Sequence, residues 1–145
     1  MDLGIRGRRA IVGGASKGLG RACARALAAE GVTVAIVART ESELRKTADE
    51  LERETGSKVV PVAADLATAE GRNRVIREFP DPDILVNNAG GPPTGDFRQF
   101  GREDWIKALD ACMIGPIEMI RASLTRQKLA KGFKTEWRFY DAAAD

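Results

Sequence analysis

Three features of the sequence predict an α/β domain built on a doubly wound parallel sheet. Short β-branched runs alternate with amphipathic helical stretches, several of those stretches stop at a glycine, and a glycine-rich turn joins the first β run to the first helical one. Strands separated by helices pair in parallel through right-handed crossovers, which places helices on both faces of the sheet. The chain has 145 residues, 43% of them hydrophobic and 30% charged, so it is too apolar for a disordered polypeptide. That length closes a core without disulfides or a structural metal and leaves room for one domain, spanning residues 1–145.

The elements follow in order. Arg9-Ala10-Ile11-Val12 is a short strand stopped by Gly13-Gly14, and residues 19–29, rich in Ala, Leu and Arg, form a helix ended by Gly31. Residues 32–37 are a buried strand. Residues 42–55 form a helix with Leu44, Ala48 and Leu51 on one side, closed by Gly56. Residues 59–63 are a third strand whose Pro61 is best tolerated at a sheet edge, because proline donates no ladder hydrogen bond. A third helix covers 68–78, with Val75, Ile76 and Phe79 as apolar contacts, and Ile84-Leu85-Val86 is the fourth strand. Residues 90–95 are a loop by composition, and 102–131 read as one long helix or as two interrupted at Gly115-Pro116. The expected strand order is 3-2-1-4, with a poor fifth strand at 136–140, so the sheet is truncated after the fourth or fifth strand.

Composition excludes several kinds of chemistry. There is no histidine, which removes imidazole-held metals and Ser/His nucleophiles; no metal-ligand cluster is expected. Cys23 and Cys112 lie far apart in helical contexts, the pattern of a reduced, cytoplasmic chain. No apolar run approaches the roughly 20 residues of a membrane helix, so no membrane partner is expected. Residues 1–120 carry 17 Lys/Arg against 18 Asp/Glu, whereas 122–145 form a basic tail without the interleaved aromatics of a nucleic-acid site. No nucleic-acid partner follows. Glu41, Glu43, Asp49, Glu50, Glu52 and Glu54 read as one solvated helix face.

The chemistry sits in Gly13-Gly14-Ala15-Ser16-Lys17-Gly18-Leu19-Gly20. Between a strand and a helix of a parallel sheet, such a turn presents amide N–H groups and a helix N-terminus to an anion, the place where a dinucleotide pyrophosphate is held. Gly14, Gly18 and Gly20 permit the tight turn, the ligand's approach and close helix–strand packing; Ser16, Lys17 and Leu19 complete the candidate contacts. A nucleoside-triphosphate P-loop fails because Leu19 stands where its lysine is required. A glycine turn with no ligand is the bland alternative. An NAD site places a carboxylate about 20 positions further on, at the end of the second strand. Here the sequence is Ala38-Arg39-Thr40. Arg39, with Thr40 beside it, can grip a 2′-phosphate bidentately and Lys17 can approach from the turn, which favours NADP(H) over NAD(H). The domain is therefore expected to be a Rossmann-type dinucleotide-binding unit.

The glycine pattern, Ala64-Asp65-Leu66 after the third strand and Asn87-Asn88-Ala89-Gly90 after the fourth together resemble the short-chain dehydrogenase/reductase family, especially its β-ketoacyl-acyl-carrier-protein reductases. The likeness covers the family's N-terminal, cofactor-binding portion, residues 1–121 at most. It implies that Asp65 and Leu66 meet the adenine, that Asn88, Ala89 and Gly90 line the nucleotide ribose, and that the helix from Trp105 to Ile120 packs on a partner subunit. It also implies hydride transfer between a nicotinamide and a carbonyl or alcohol.

Departures from that pattern shape the expectation. Gly13 stands where the family has a threonine that ties the turn to the fourth strand, and Cys112, seven residues after Trp105, stands where the family carries its helix asparagine. The only tyrosine, Tyr140, is followed four residues later by Ala144, so the family's Tyr-x-x-x-Lys pair is absent, and Asp141 falls where its serine is expected. A lone phenol of pKa about 10 donates a proton poorly near neutrality. No catalytic residue is assigned, and little or no carbonyl reduction is expected; the alternative is a non-catalytic module with a vestigial nucleotide site. Met113, Ile114, Ile117, Met119 and Ile120 form an apolar surface, so a homo-oligomer is expected through the 105–129 helix or the sheet edge.

Overall fold

Alternation along the strands decides which side chains meet which layer. Ala10 and Val12 turn to one side of the sheet and Ile11 to the other; Val34 and Ile36 oppose Ala35 and Val37 in the same way, and all seven are fully buried. Strands buried on both faces are what a parallel sheet between two helical layers demands. The computed structural model describes residues 3–91 and 94–124. In it β1 (Arg9–Gly13), β2 (Thr33–Ala38), β3 (Val59–Ala63) and β4 (Ile84–Val86) form one parallel sheet ordered β3-β2-β1-β4, the order read from the sequence. The register pairs Ile11 with Ala35 and Leu85, and Ile36 with Pro61.

Two helices cover one face. In α1 (Gly18–Ala29) the buried residues Gly20, Ala24 and Ala28 repeat every four positions and are all small, which lets the helix lie close to the strands. Helix α2 (Glu41–Thr55) buries Leu44, Thr47, Ala48 and Leu51 and ends at Gly56, whose left-handed φ of +70° lets its N–H donate to the Glu52 carbonyl. The other face carries α3 (Ala69–Glu78), capped by the Thr68 hydroxyl accepting from the Gly71 N–H, and α5 (Gly115–Ser123), which drives Met119 into a cluster with Ile11, Val37 and Val75.

Strand β3 is the edge that Pro61 foretells. Lys58 accepts from Val34 and Ala64 donates to Ala38, so with a period of two Pro61 turns its nitrogen away from β2, where no ladder bond is lost. On that outer side the Val59 N–H donates to the Glu52 carboxylate at 2.8 Å. Glu52 is thus bound to the sheet rather than only solvated.

The stretch after residue 101 differs from its sequence reading. Helix α4 (Arg102–Leu109) runs into α5 through a π-helical segment, Asp110–Ile114, so the irregularity precedes Gly115-Pro116 and Pro116 sits in the first turn of α5. The helix ends at Ser123, with Leu124 extended; residues 125–131 of the expected helix lie outside the described residues. Met119, expected on the surface, is buried, whereas Met113, Ile114 and Ile117 are exposed. The expected fifth strand at 136–140 and the rest of the basic tail lie outside the described residues. No helix among the described residues is long and apolar enough to cross a membrane.

Candidate functional site

The C-terminal ends of the four strands open onto a cleft of about 560 Å³. Its floor is the β1–α1 turn, which three bonds from separate elements hold in place. The Ala15 N–H donates to the Val37 carbonyl at 3.1 Å, the buried Thr47 hydroxyl donates to the Ser16 carbonyl at 3.1 Å, and the Asn88 side-chain amide donates to the Gly13 carbonyl at 3.1 Å. The last bond ties the turn to the end of β4. Gly13 therefore leaves no gap where a threonine hydroxyl was missed: a Cβ there would overlap the Asn88 carbonyl oxygen and lie 2.9 Å from Leu66 Cδ1.

Gly14 and Gly20 show why the turn is built of glycine. Gly14 has φ +57°, and a Cβ on it would stand 2.7 Å from Asn88 Nδ2; a Cβ on Gly20 would run into the Gly14 carbonyl. Gly18 also has a positive φ, +59°, but faces open space, so its requirement is conformational rather than one of packing. The first turn of α1 has neither a side-chain cap nor an acidic residue, which leaves its N–H groups and positive dipole end free for an anion.

Gly14, Ser16, Lys17, Arg39, Thr40, Asp65, Leu66, Asn88, Ala89 and Gly90 all line this cleft. Gly18, Leu19 and Gly20 sit beside it at the start of α1 and are not part of its lining; the Leu19 side chain is 81% exposed. Sequence reasoning missed Glu43 and, from the opposite side, Lys107, Ala108 and Ala111. Glu43 stands in the first turn of α2, four positions after Arg39, but shares that helix with other acids and carried no signal of its own. Lys107 carried none either, because the packing of α4 beside the cleft is a tertiary contact.

Three cations converge on this cleft, beside the carboxylates of Glu43 and Asp65. Lys17, Arg39 and Lys107 make no ion pair among the described residues, a state they share with surface cations such as Lys46, Arg53, Lys58 and Arg77, so it is their convergence that marks the region. Three cations without ion pairs among the described residues, a helix N-terminus without a side-chain cap and a tight glycine turn suit a ligand carrying phosphoryl groups. Val37, Leu66 and Ala108 supply apolar wall for a flat ring.

Comparison with known proteins agrees with that geometry. Residues 8–133 match the family model described as short chain dehydrogenase. L-xylulose reductase of Cavia porcellus is 46% identical over 119 residues, covering 82% of this chain and 47% of the relative. An uncharacterized oxidoreductase of Bacillus subtilis, YvaG, is 34% identical over 125 residues, covering 86% of this chain and 47% of the relative. Among solved structures, L-sorbose reductase from Gluconobacter frateurii, complexed with NADPH and L-sorbose, superposes with a TM-score of 0.78 at 34% identity, covering 84% of this chain and 48% of that one. The chain spans about half the length of these relatives.

Proposed function

Because this chain belongs to the short chain dehydrogenase family, we propose that its cleft binds NADP(H) in preference to NAD(H) and serves an oxidoreductase that interconverts a carbonyl and an alcohol. The observation that carries the preference is Arg39 at the end of β2, unpaired, lining the same cleft as the unpaired Lys17, where an NAD site would hold a carboxylate. The NADPH bound to the structurally similar L-sorbose reductase supports the same choice. When bound, this cofactor supplies or accepts a hydride. The residues of this chain bind and orient it: the α1 N-terminus takes the pyrophosphate, Arg39 and Lys17 the 2′-phosphate, and the Asp65–Leu66 wall the adenine.

Proton transfer is a separate matter. Among the described residues no tyrosine lies at the cleft, and Tyr140 has Ala144 rather than a lysine four positions on. The 145-residue polypeptide is therefore expected to bind the cofactor and to reduce ketones only slowly, since general acid catalysis is worth about 10²–10⁴-fold. Calorimetric titration with NADPH and NADH tests the binding reading: tighter NADPH binding supports it, and equal affinity or no heat from either removes it. The exposed stripe of Trp105, Ile106, Leu109, Met113, Ile114 and Ile117 supports assembly of two or more copies through α4 and α5.

A further inference from the structure

The wall of the cleft after β3 is a tightly held turn. The Asp65 carbonyl oxygen accepts from the Thr68 N–H at 3.1 Å and from the Thr68 hydroxyl at 3.0 Å, while Asp65 Oδ1 accepts from the Ala67 N–H at 3.0 Å. Gly71 is buried against this turn, and a Cβ on it would overlap the Asp65 carbonyl oxygen. The next carbonyl, that of Leu66, has one polar partner among the described residues: Arg72 Nη1, half-buried, donates to it at 2.9 Å. From the other side Gly115, buried where the π segment meets α5, packs on the same oxygen, since a Cβ there would lie 3.3 Å from it and 3.8 Å from Arg72 Nη1. The Leu66 side chain in turn reaches the floor of the cleft beside Gly13.

We infer that Arg72 is a positioning residue of the dinucleotide site, acting through the Leu66 carbonyl to hold the Asp65–Leu66 wall at the spacing an adenine ring needs. The inference rests on the NADP(H) reading above. Arg72 is not among the residues lining the cleft, so it acts without touching the ligand. A guanidinium suits the task because its charge-assisted donor fixes a carbonyl more firmly than a neutral group does. Without it the Leu66 carbonyl loses its partner in a half-buried place, and the turn reorganises to reach water.

The test titrates NADPH and adenosine 2′,5′-bisphosphate into the unaltered chain, Arg72→Met and Arg72→Lys at several salt concentrations. Arg72→Met is expected to weaken both probes by the same factor, about 10-fold, with the salt dependence of binding unchanged; Arg72→Lys, which restores a charged donor, recovers most of the loss. If Arg72→Met fails to fold, Gly115→Ala, whose Cβ would stand 2.9 Å from the Asp110 carbonyl and 3.3 Å from the Leu66 carbonyl, disturbs the same contact from the α5 side and is expected to weaken both probes several-fold. No NADPH binding by the unaltered chain overturns the cofactor reading and this inference with it. Unaltered binding in Arg72→Met or in Gly115→Ala overturns this inference alone, as does a shallower salt dependence in Arg72→Met, which would place the guanidinium on a phosphate.

Discussion

At Gly14 two constraints coincide, a φ of +57° and the Asn88 amide 2.7 Å from where a Cβ would stand. Gly18 shares only the first. Gly14→Ala is therefore expected to lower stability by about 1–3 kcal/mol and to displace Asn88, whereas Gly18→Ala costs about 1 kcal/mol of strain alone; thermal unfolding of the two variants measures the difference. Arg39 carries the clearest functional prediction at this scale. Arg39→Ala is expected to weaken NADPH binding about 10–100-fold, the worth of charge-assisted bonds to a phosphate, and to change NADH binding by less than about 3-fold. A calorimetric ratio that stays constant would remove the 2′-phosphate assignment. Lys17 and Arg39 were legible in the sequence because their places follow from local landmarks, the glycine turn and the end of the second strand. Glu43 and Lys107 were not. Glu43 is one of several acids on α2, and only the packed helix shows which of them faces the cleft.

The stretch from α4 to α5 shows what periodicity can and cannot deliver. A π segment places an extra residue in a turn, so the side chains after it rotate by about 100° relative to an uninterrupted α-helix. Even at 3.6 per turn Met119 falls about 120° from Met113, and in the structure it points into the core against Ile11 and Val75 while Met113 is exposed. Met119→Ala is expected to cost about 2–5 kcal/mol, while Met113→Ala at an exposed position stays within about 0.5 kcal/mol, a contrast that urea unfolding reads directly. The composition of the segment, Asp-Ala-Cys-Met-Ile, does not mark it; it leads into Gly115, which packs against the Leu66 carbonyl and beside Arg72. The strands and α1 to α3 escape such ambiguity, since each carries its own stop, Gly31 and Gly56 among them.

Over the whole molecule, the strand order β3-β2-β1-β4 is the one read from the alternation of strands and helices, and Pro61 agrees with β3 at its edge. The face that α4 and α5 present needs a covering that the described residues do not provide. Trp105 is 51% exposed and Ile106, Leu109, Met113, Ile114 and Ile117 lie along the same stretch. Trp105→Glu is expected to shift light scattering at micromolar concentration from an oligomer toward a monomer while far-UV circular dichroism stays unchanged; a monomeric unaltered chain would remove the assembly proposal. The two rims of the sheet are not equivalent. On the outer side of β3 the Val59 N–H is already taken by Glu52 and Pro61 has none to give, so an incoming strand meets two successive positions without a donor. Growth of the sheet has a direction: the β3 rim resists an added strand, whether from a longer polypeptide or from another molecule. An open-ended filament needs two receptive rims on every unit, and a unit with one can close into a pair and go no further.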